Sequence, residues 1–206
     1  MLQARFQLIT ADPLRLADVL KFIESEVRPQ TENRQGNLGM SLYASPEAGV
    51  AVLESFWATH EMLVLNENRG LPDFRDALRH AAGTVRAERY RVPIFEWDWA
   101  GPLDPLAGLR LTRIEIEPSK ADDVVEAYGD TVVPALAETE GFAGSLLLAG
   151  DGTGELISEA VWRDPQALAA GRSTAASAGI ELAESTGCEI RPADEYGLVF
   201  SSARKP

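Results

Sequence analysis

The chain has 206 residues, 45% hydrophobic and 25% charged, and carries a formal net charge of −13 from 19 basic and 32 acidic residues. This is the balance of an ordinary globule, and its negative charge would repel a phosphate backbone or an anionic bilayer surface, so neither nucleic acid nor membrane is expected as a partner. Cys188 is the one cysteine, which excludes an intramolecular disulfide, and neither a leader-like N-terminus nor a bilayer-spanning apolar run is seen, so a cytoplasmic location is expected.

Residues 6–9 read as a first strand that stops at Asp12-Pro13, where proline suits the first turn of a helix. Leu16, Leu20, Ile23 and Val27 then make one apolar helical face, which Pro29 should kink or end. Gly36 and Gly39 mark the turn into a second strand, 38–44. A hairpin loop at Pro46-Glu47-Ala48-Gly49 leads to a third strand, 50–57. On that strand Trp57 shares a face with Ala51, Leu53 and Ser55, while Glu54 lies on the other with Val52 and Phe56. A second helix is predicted over 60–82, broken near Gly70-Leu71-Pro72 and stopped at Gly83. A last strand spans 85–97, and 98–109, with Gly101, Pro102, Pro105 and Gly108, reads as a linker.

The chain then repeats itself. Arg5 and Arg110, Pro13 and Pro118, Pro29 and Pro134, Gly49 and Gly154, Glu54 and Glu159, and Trp57 and Trp162 all match at a spacing of 105 (162 − 57 = 105). A strand at 111–116 ends at Glu117-Pro118, and a helix carries Ala121, Val125, Tyr128 and Val132 on its apolar face. Strands at 143–149 and 155–162 flank a glycine-rich loop. An Ala-rich helix at 165–186, with Gly171 and Gly179, stops at Gly187, and a last strand at 189–201 is interrupted near 192–194. A repeat of this length is a whole domain, not a solenoid unit.

The order is β-α-β-β-α-β twice, the split βαβ motif. The expected fold class is α+β: two tandem ferredoxin-like domains, 1–97 and 110–206, joined by the linker 98–109. Each antiparallel sheet with helices on one face leaves its other face bare, so the two are expected to cover each other as an intramolecular α/β barrel.

This order, the length of each half, and Glu54-Ser55-Phe56-Trp57 leading into a helix resemble the dimeric α/β-barrel superfamily, and within it the antibiotic-biosynthesis-monooxygenase type of domain. Trp162-Arg163-Asp164-Pro165 fits that pattern closely, and Trp57-Ala58-Thr59-His60 less so. The resemblance implies a soluble small-molecule protein that needs no cofactor and could pair as a homodimer of the fused halves. Haem-degrading members are similar to one another in a first-strand Asn, the third-strand Trp and a helical His about ten residues later. Here the first strand offers Gln7, and Asn66 and Glu67, or Gly171 and Arg172, stand where that His would be. The quinone-forming oxygenases place an Asn four residues before the Trp, where this chain has Leu53 and Ser158.

Trp57 and Trp162 are candidate walls of a substrate pocket, against the competing reading of strand-end core packing. His60, three residues after Trp57, is the candidate catalytic base, against that of a solvent-facing helix end. His80 reads as a structural helix-end residue. Asn66 could line a pocket or mark a helix break. Glu54 and Glu159 are internal acids with Arg86 and Arg191 as expected partners, and Arg86 is a further substrate-contact candidate. No spacing of His, Cys, Asp or Glu suggests a metal site.

Both histidines and three of the four tryptophans lie in the first half, so any ligand site is expected mainly there. The expected function is a cofactor-independent monooxygenase, or related enzyme, acting on an aromatic or polyketide-like molecule. The alternative is a non-catalytic binding or stress-related barrel protein, with haem binding third.

Overall fold

The computed structural model describes residues 1–69, 75–97 and 106–204, with side chains at 75–77 left aside. The predicted break at Gly70-Leu71-Pro72, most of the linker and Trp99 lie outside the described residues. The chain separates into two compact units: unit 1 comprises Met1–Tyr90 with Leu198–Pro206, and unit 2 comprises Arg91–Gly197.

Unit 1 runs β1 (Gln3–Thr10), α1 (Leu16–Phe22), a π-helical turn (Ile23–Val27), α2 (Arg28–Glu32), β2 (Asn37–Ser45), β3 (Val50–Trp57), α3 (His60–Asn68), α4 (Arg75–His80) and the first part of β4 (Thr84–Trp97). Unit 2 takes the rest of β4, then β5 (Gly108–Glu115), α5 (Ala121–Ala127), a second π-helical turn (Tyr128–Val132), α6 (Val133–Ala137), β6 (Phe142–Gly150), β7 (Glu155–Trp162) and α7 (Pro165–Thr186), and ends in β8 (Glu189–Ile190) and the start of β9 (Asp194–Ser201). The strand order in unit 1 is β4-β1-β3-β2, with the C-terminal end of β9 beside β2. In unit 2 it is β9-β5-β7-β6, with the C-terminal end of β4 beside β6.

The registers agree as closely as the sequences. Gln3 faces Trp57 in the β1–β3 pair, and Gly108 faces Trp162 in the β5–β7 pair. Gly49 and Gly154 sit at φ +68° and +73°, where a Cβ would stand 2.3 Å from the carbonyl oxygen of Ala11 and 2.0 Å from that of Ile116. Only glycine turns these hairpins, because any side chain there collides with backbone. The helices that follow start on equivalent caps: Thr59 Oγ1 accepts from Met62 N at 3.2 Å, and Asp164 Oδ1 accepts from Ala167 N at 2.8 Å.

Three helical expectations change. The first helix of each half continues for a turn beyond Pro29 and Pro134. A π-helical turn precedes each proline and loosens the hydrogen-bond ladder where its missing N–H would fall. The buried stripe is Leu16, Val19, Ile23 and Val27, with Leu20 only half-buried, and Val124 takes the corresponding place from Val125. At the end of α4 the left-handed residue is Ala82 (φ 49°), one position before the predicted stop at Gly83.

The core of unit 1 gathers Ile9, Leu16, Ile23, Leu42, Leu53 and Leu78 between sheet and helices; that of unit 2 gathers Ile114, Val124, Tyr128, Leu147, Trp162 and Leu182. No helix among the described residues is long and apolar enough to cross a membrane.

Candidate functional site

Alternation along β5 points Arg110, Thr112 and Ile114 to one face, and the paired strand β7 adds Ser158 and Ala160 to it. Thr112 and Ser158 are direct cross-strand partners. Above this floor lies α7, whose residues there are small: Ala175, Ala176, Gly179 and Ala183, with Ile180 and Leu182. Tyr128, Val132 and Leu136 close one side, and residues 190–193 form a rim. Short side chains on α7 cannot fill the gap to the sheet, and a cavity of about 520 Å³ remains. That is the size of ordinary small-molecule sites.

Its polar end is built from hydroxyls. Tyr128 Oη lies 2.7 Å from Ser145 Oγ and 2.8 Å from Ser158 Oγ, and Ser145 Oγ donates to the carbonyl oxygen of Glu159 at 3.0 Å. Three contacts share three hydroxyl protons, and the carbonyl has none to give. One assignment satisfies all three: Ser158 donates to Tyr128, Tyr128 to Ser145, and Ser145 to the carbonyl. Burial pushes the Tyr128 phenol above its ordinary value, opposed by the two serine hydrogen bonds and reinforced by the charge of Glu159. Tyr128 is therefore a neutral phenol at physiological pH.

Beside it lies an ion triad. Arg110 Nη1 donates to Glu195 Oε1 at 3.0 Å, while Arg172 grips the same carboxylate with Nε (2.9 Å) and Nη2 (2.6 Å). Arg172 first, then Arg110, hold Glu195 below the usual carboxylate range. At the rim, Arg191 forks onto Glu115 and also meets Glu189. The expected pairing of Arg191 with Glu159 is therefore not made: Glu159 is wholly buried, whereas the Arg191 side chain is 46% exposed. Arg86 meets Glu88 on its own strand, with its side chain 65% exposed, while Glu54 is buried.

The residues that the sequence offers as catalytic or substrate-binding are not part of this lining. Trp57 is fully buried and donates from Nε1 to Ser55 Oγ at 3.0 Å. Trp162 is equally buried, donates to Thr139 Oγ1 at 3.3 Å and packs edge-on against Phe142. Both use their bulk in the core. Asn66 is buried and ties α3 to the turn before β2, donating to the carbonyls of Gln35 and Met62. His60 is exposed at the start of α3. None of these, nor Arg86, is among the residues that line the cavity. Unit 1 has a smaller depression of about 340 Å³ around Arg5, Glu67 and Arg89, lined almost wholly by charge. Among the described residues no group of three His, Cys, Asp or Glu is placed to hold a metal ion.

The residues that build the cavity were missed for a definable reason. Tyr128 sits on a predicted apolar face, and the small residues of α7 carry no reactive groups. A signal lay in the spacing of 105: Tyr128 and Ser158 stand 105 residues after Ile23 and Leu53.

No family model matches the chain. An uncharacterized protein of Mycobacterium tuberculosis, Rv2558, is 24% identical over 204 residues, covering 98% of this chain and 86% of the relative. Among solved structures, a candidate monooxygenase of Fusobacterium nucleatum superposes with a TM-score of 0.71 at 14% identity, covering 97% of this chain and 92% of that one. An anthrone oxidase-like protein gives 0.69 at 18% identity, with the same coverages. A major regulator of staphylococcal pathogenesis gives 0.58 at 8%, covering 95% and 98%. At these identities the likeness concerns the fold, and one fold carries enzymes and regulators alike. The chain has a mixed α+β fold of the kind found in monooxygenase-like proteins.

Proposed function

We propose that this protein binds a small, largely apolar, oxygen-bearing ring compound in the cavity of unit 2 and acts on it as a cofactor-independent monooxygenase. One observation carries the reading. At the positions where the first half packs Ile23 and Leu53 into its core, the second half places the Tyr128 and Ser158 hydroxyls against a cavity roofed by alanine and glycine. An apolar cavity with a few placed hydroxyls is the ordinary make-up of a small-molecule site.

Cofactor-free oxygenation draws its electrons from the substrate. The protein must then hold the enol form in an apolar site and give its oxygen a partner. Ser158, having donated its proton to Tyr128, offers lone pairs suited to an enol or phenol hydroxyl. Arg110 and Thr112 supply donors to a second oxygen. A second reading, a non-catalytic binding protein, is favoured by one feature: the hydroxyl chain ends on a peptide carbonyl, which cannot take a proton away.

Anthrone is a suitable probe, since anthrone plus dioxygen gives anthraquinone plus water. Faster oxygen uptake with the protein than without it, reduced in Tyr128→Phe and in Ala175→Leu, supports the oxygenase. Saturable binding without oxygen uptake supports the binding protein. Absence of both removes the cavity as a ligand site.

We also infer that the halves are copies of one ferredoxin-like domain, 1–97 and 110–206, supported by the equal registers of β1–β3 and β5–β7. An experimental structure with different registers in the two pairs would overturn this.

A further inference from the structure

The floor of the cavity has two poles of opposite hydrogen-bonding character. Ser158 is spent as a donor by the chain through Tyr128 and Ser145, so it faces a ligand as an acceptor. Arg110 is the reverse. A guanidinium has five N–H donors and no acceptor, and Arg110 uses one nitrogen on Glu195. Glu195 is already gripped at both oxygens by Arg172. Two cations around one carboxylate leave the triad with a surplus positive charge.

That surplus lies on the cavity wall. The Arg110 side chain is 21% exposed, against 57% for Arg172, so water screens it less. The other lining cation, Arg191, is exposed and faces two carboxylates. Between the poles stands Thr112, paired with Ser158 and two residues along β5 from Arg110. Such diagonal neighbours have Cβ atoms about 7 Å apart, a span that the long arginine side chain shortens. The rest of the lining, from Ile114 and Val132 to Ala175 and Leu182, is apolar.

Resting on the reading of this cavity as a ligand site, we infer that its occupant is a hydroxylated monocarboxylic acid with an apolar ring body, bound as the anion, with the carboxylate on Arg110 and the hydroxyl donating to Ser158. Arg110 is then the residue that selects an acid over a neutral ring compound. Arg172 acts through it, by occupying Glu195.

The test is calorimetric titration at pH 7 with four probes: 4-hydroxy-2-naphthoate, whose hydroxyl is out of reach of its own carboxylate, its methyl ester, 2-naphthoate and 2-naphthol. The hydroxy acid should bind at least about tenfold more tightly than the ester, since a charge-assisted hydrogen bond is lost. It should bind several-fold more tightly than 2-naphthoate. Arg110→Met should erase the preference for acid over ester, and Arg110→Lys should keep part of it. Arg172→Gln, a substitution outside the cavity lining, should reduce the preference by freeing Glu195 to neutralise Arg110. Ser158→Ala should erase the advantage of the hydroxyl alone. Should the ester match the acid, or the preference survive in Arg110→Met, the inference is overturned while 2-naphthol binding leaves the cavity reading standing. Failure of all four probes to bind overturns both.

Discussion

Glu67 and Arg172 occupy equivalent places 105 residues apart (172 − 67 = 105) and carry opposite charge in the same kind of ion triad. In unit 1, Glu67 on α3 takes Arg5 of β1 at 3.2 Å and Arg89 of β4 at 2.7 Å. In unit 2, Arg172 on α7 and Arg110 of β5 share Glu195 of β9. The first-strand arginine is kept, while helix and last strand exchange sign. Each triad is two cations around one carboxylate, so an exchange of both partners preserves the sum and an exchange of one does not. Arg172→Glu should lower the urea midpoint, because it replaces an ion pair with a like-charge contact to Glu195. Adding Glu195→Arg, which restores the sum of two cations around one carboxylate, should recover most of the loss. Urea midpoints of the single and double variants measure this, and simple additivity would show that the triad does not act as a unit.

The same triad sets part of the response to acid. Arg172 and Arg110 hold the Glu195 carboxyl below its ordinary value of 4.5. A depressed folded-state value contributes stability that is present above the unfolded value and lost as pH falls through the folded one. The stability curve of the wild type should therefore keep falling below pH 4.5 on account of this group. In Arg172→Gln, urea midpoints measured from about pH 6 to 3 should decline less steeply over that window. Parallel curves would mean that Arg172 has no hold on the carboxylate in solution.

Some elements could be read to the residue, and others could not. The third strands, Val50–Trp57 and Glu155–Trp162, and the long helix Pro165–Thr186 match their expected bounds. Alternation is bounded there by glycine and tryptophan, and the helix by Asp164 and Gly187, which are local signals. The π-helical turns were invisible, because a stripe spaced by three and four residues fits a helix with or without one widened turn. That ambiguity put Leu20 on the buried face in place of Val19. The cavity was harder still. An empty space leaves no residue behind it, and the alanines of α7 mattered for what they do not fill. Tryptophan and histidine are rare in this chain, but the tryptophans at 57 and 162 are core residues and His60 faces solvent.

Two glycines on α7 should respond to alanine with opposite sign. A Cβ at Gly171 would stand 2.6 Å from two carbon atoms of the Trp162 indole, a rigid and fully buried ring. Gly171→Ala should cost about 1–3 kcal/mol through overpacking. A Cβ at Gly179 would meet only Ile190 Cδ1, at 3.4 Å, the end of a flexible side chain beside the cavity. Gly179→Ala should gain up to about 1 kcal/mol from helix propensity. Thermal midpoints of the two variants decide the matter, and a loss in both would mean that α7 lies closer to the sheet than described.

The most direct test of the cavity is to give the second half the residues of the first. Tyr128→Ile and Ser158→Leu together restore the apolar pair that unit 1 carries as Ile23 and Leu53, both buried in its core. The double variant removes the paired hydroxyls of Tyr128 and Ser158 from the cavity, and the introduced leucine side chain would fill part of the space, so folding should be unharmed or improved. Ser158→Leu alone should be worse, because Tyr128 loses the hydroxyl that donates to it while remaining buried. Tyr128 still donates to Ser145, so the cost is that of one lost hydrogen bond, about 1 kcal/mol, offset in part by the added leucine. Both variants should lose ring-compound binding. If polar groups were kept here for the stability of unit 2, the double variant would unfold more readily than the wild type. A more stable double variant that no longer binds would instead mean that the second half gave up part of its core to make the site.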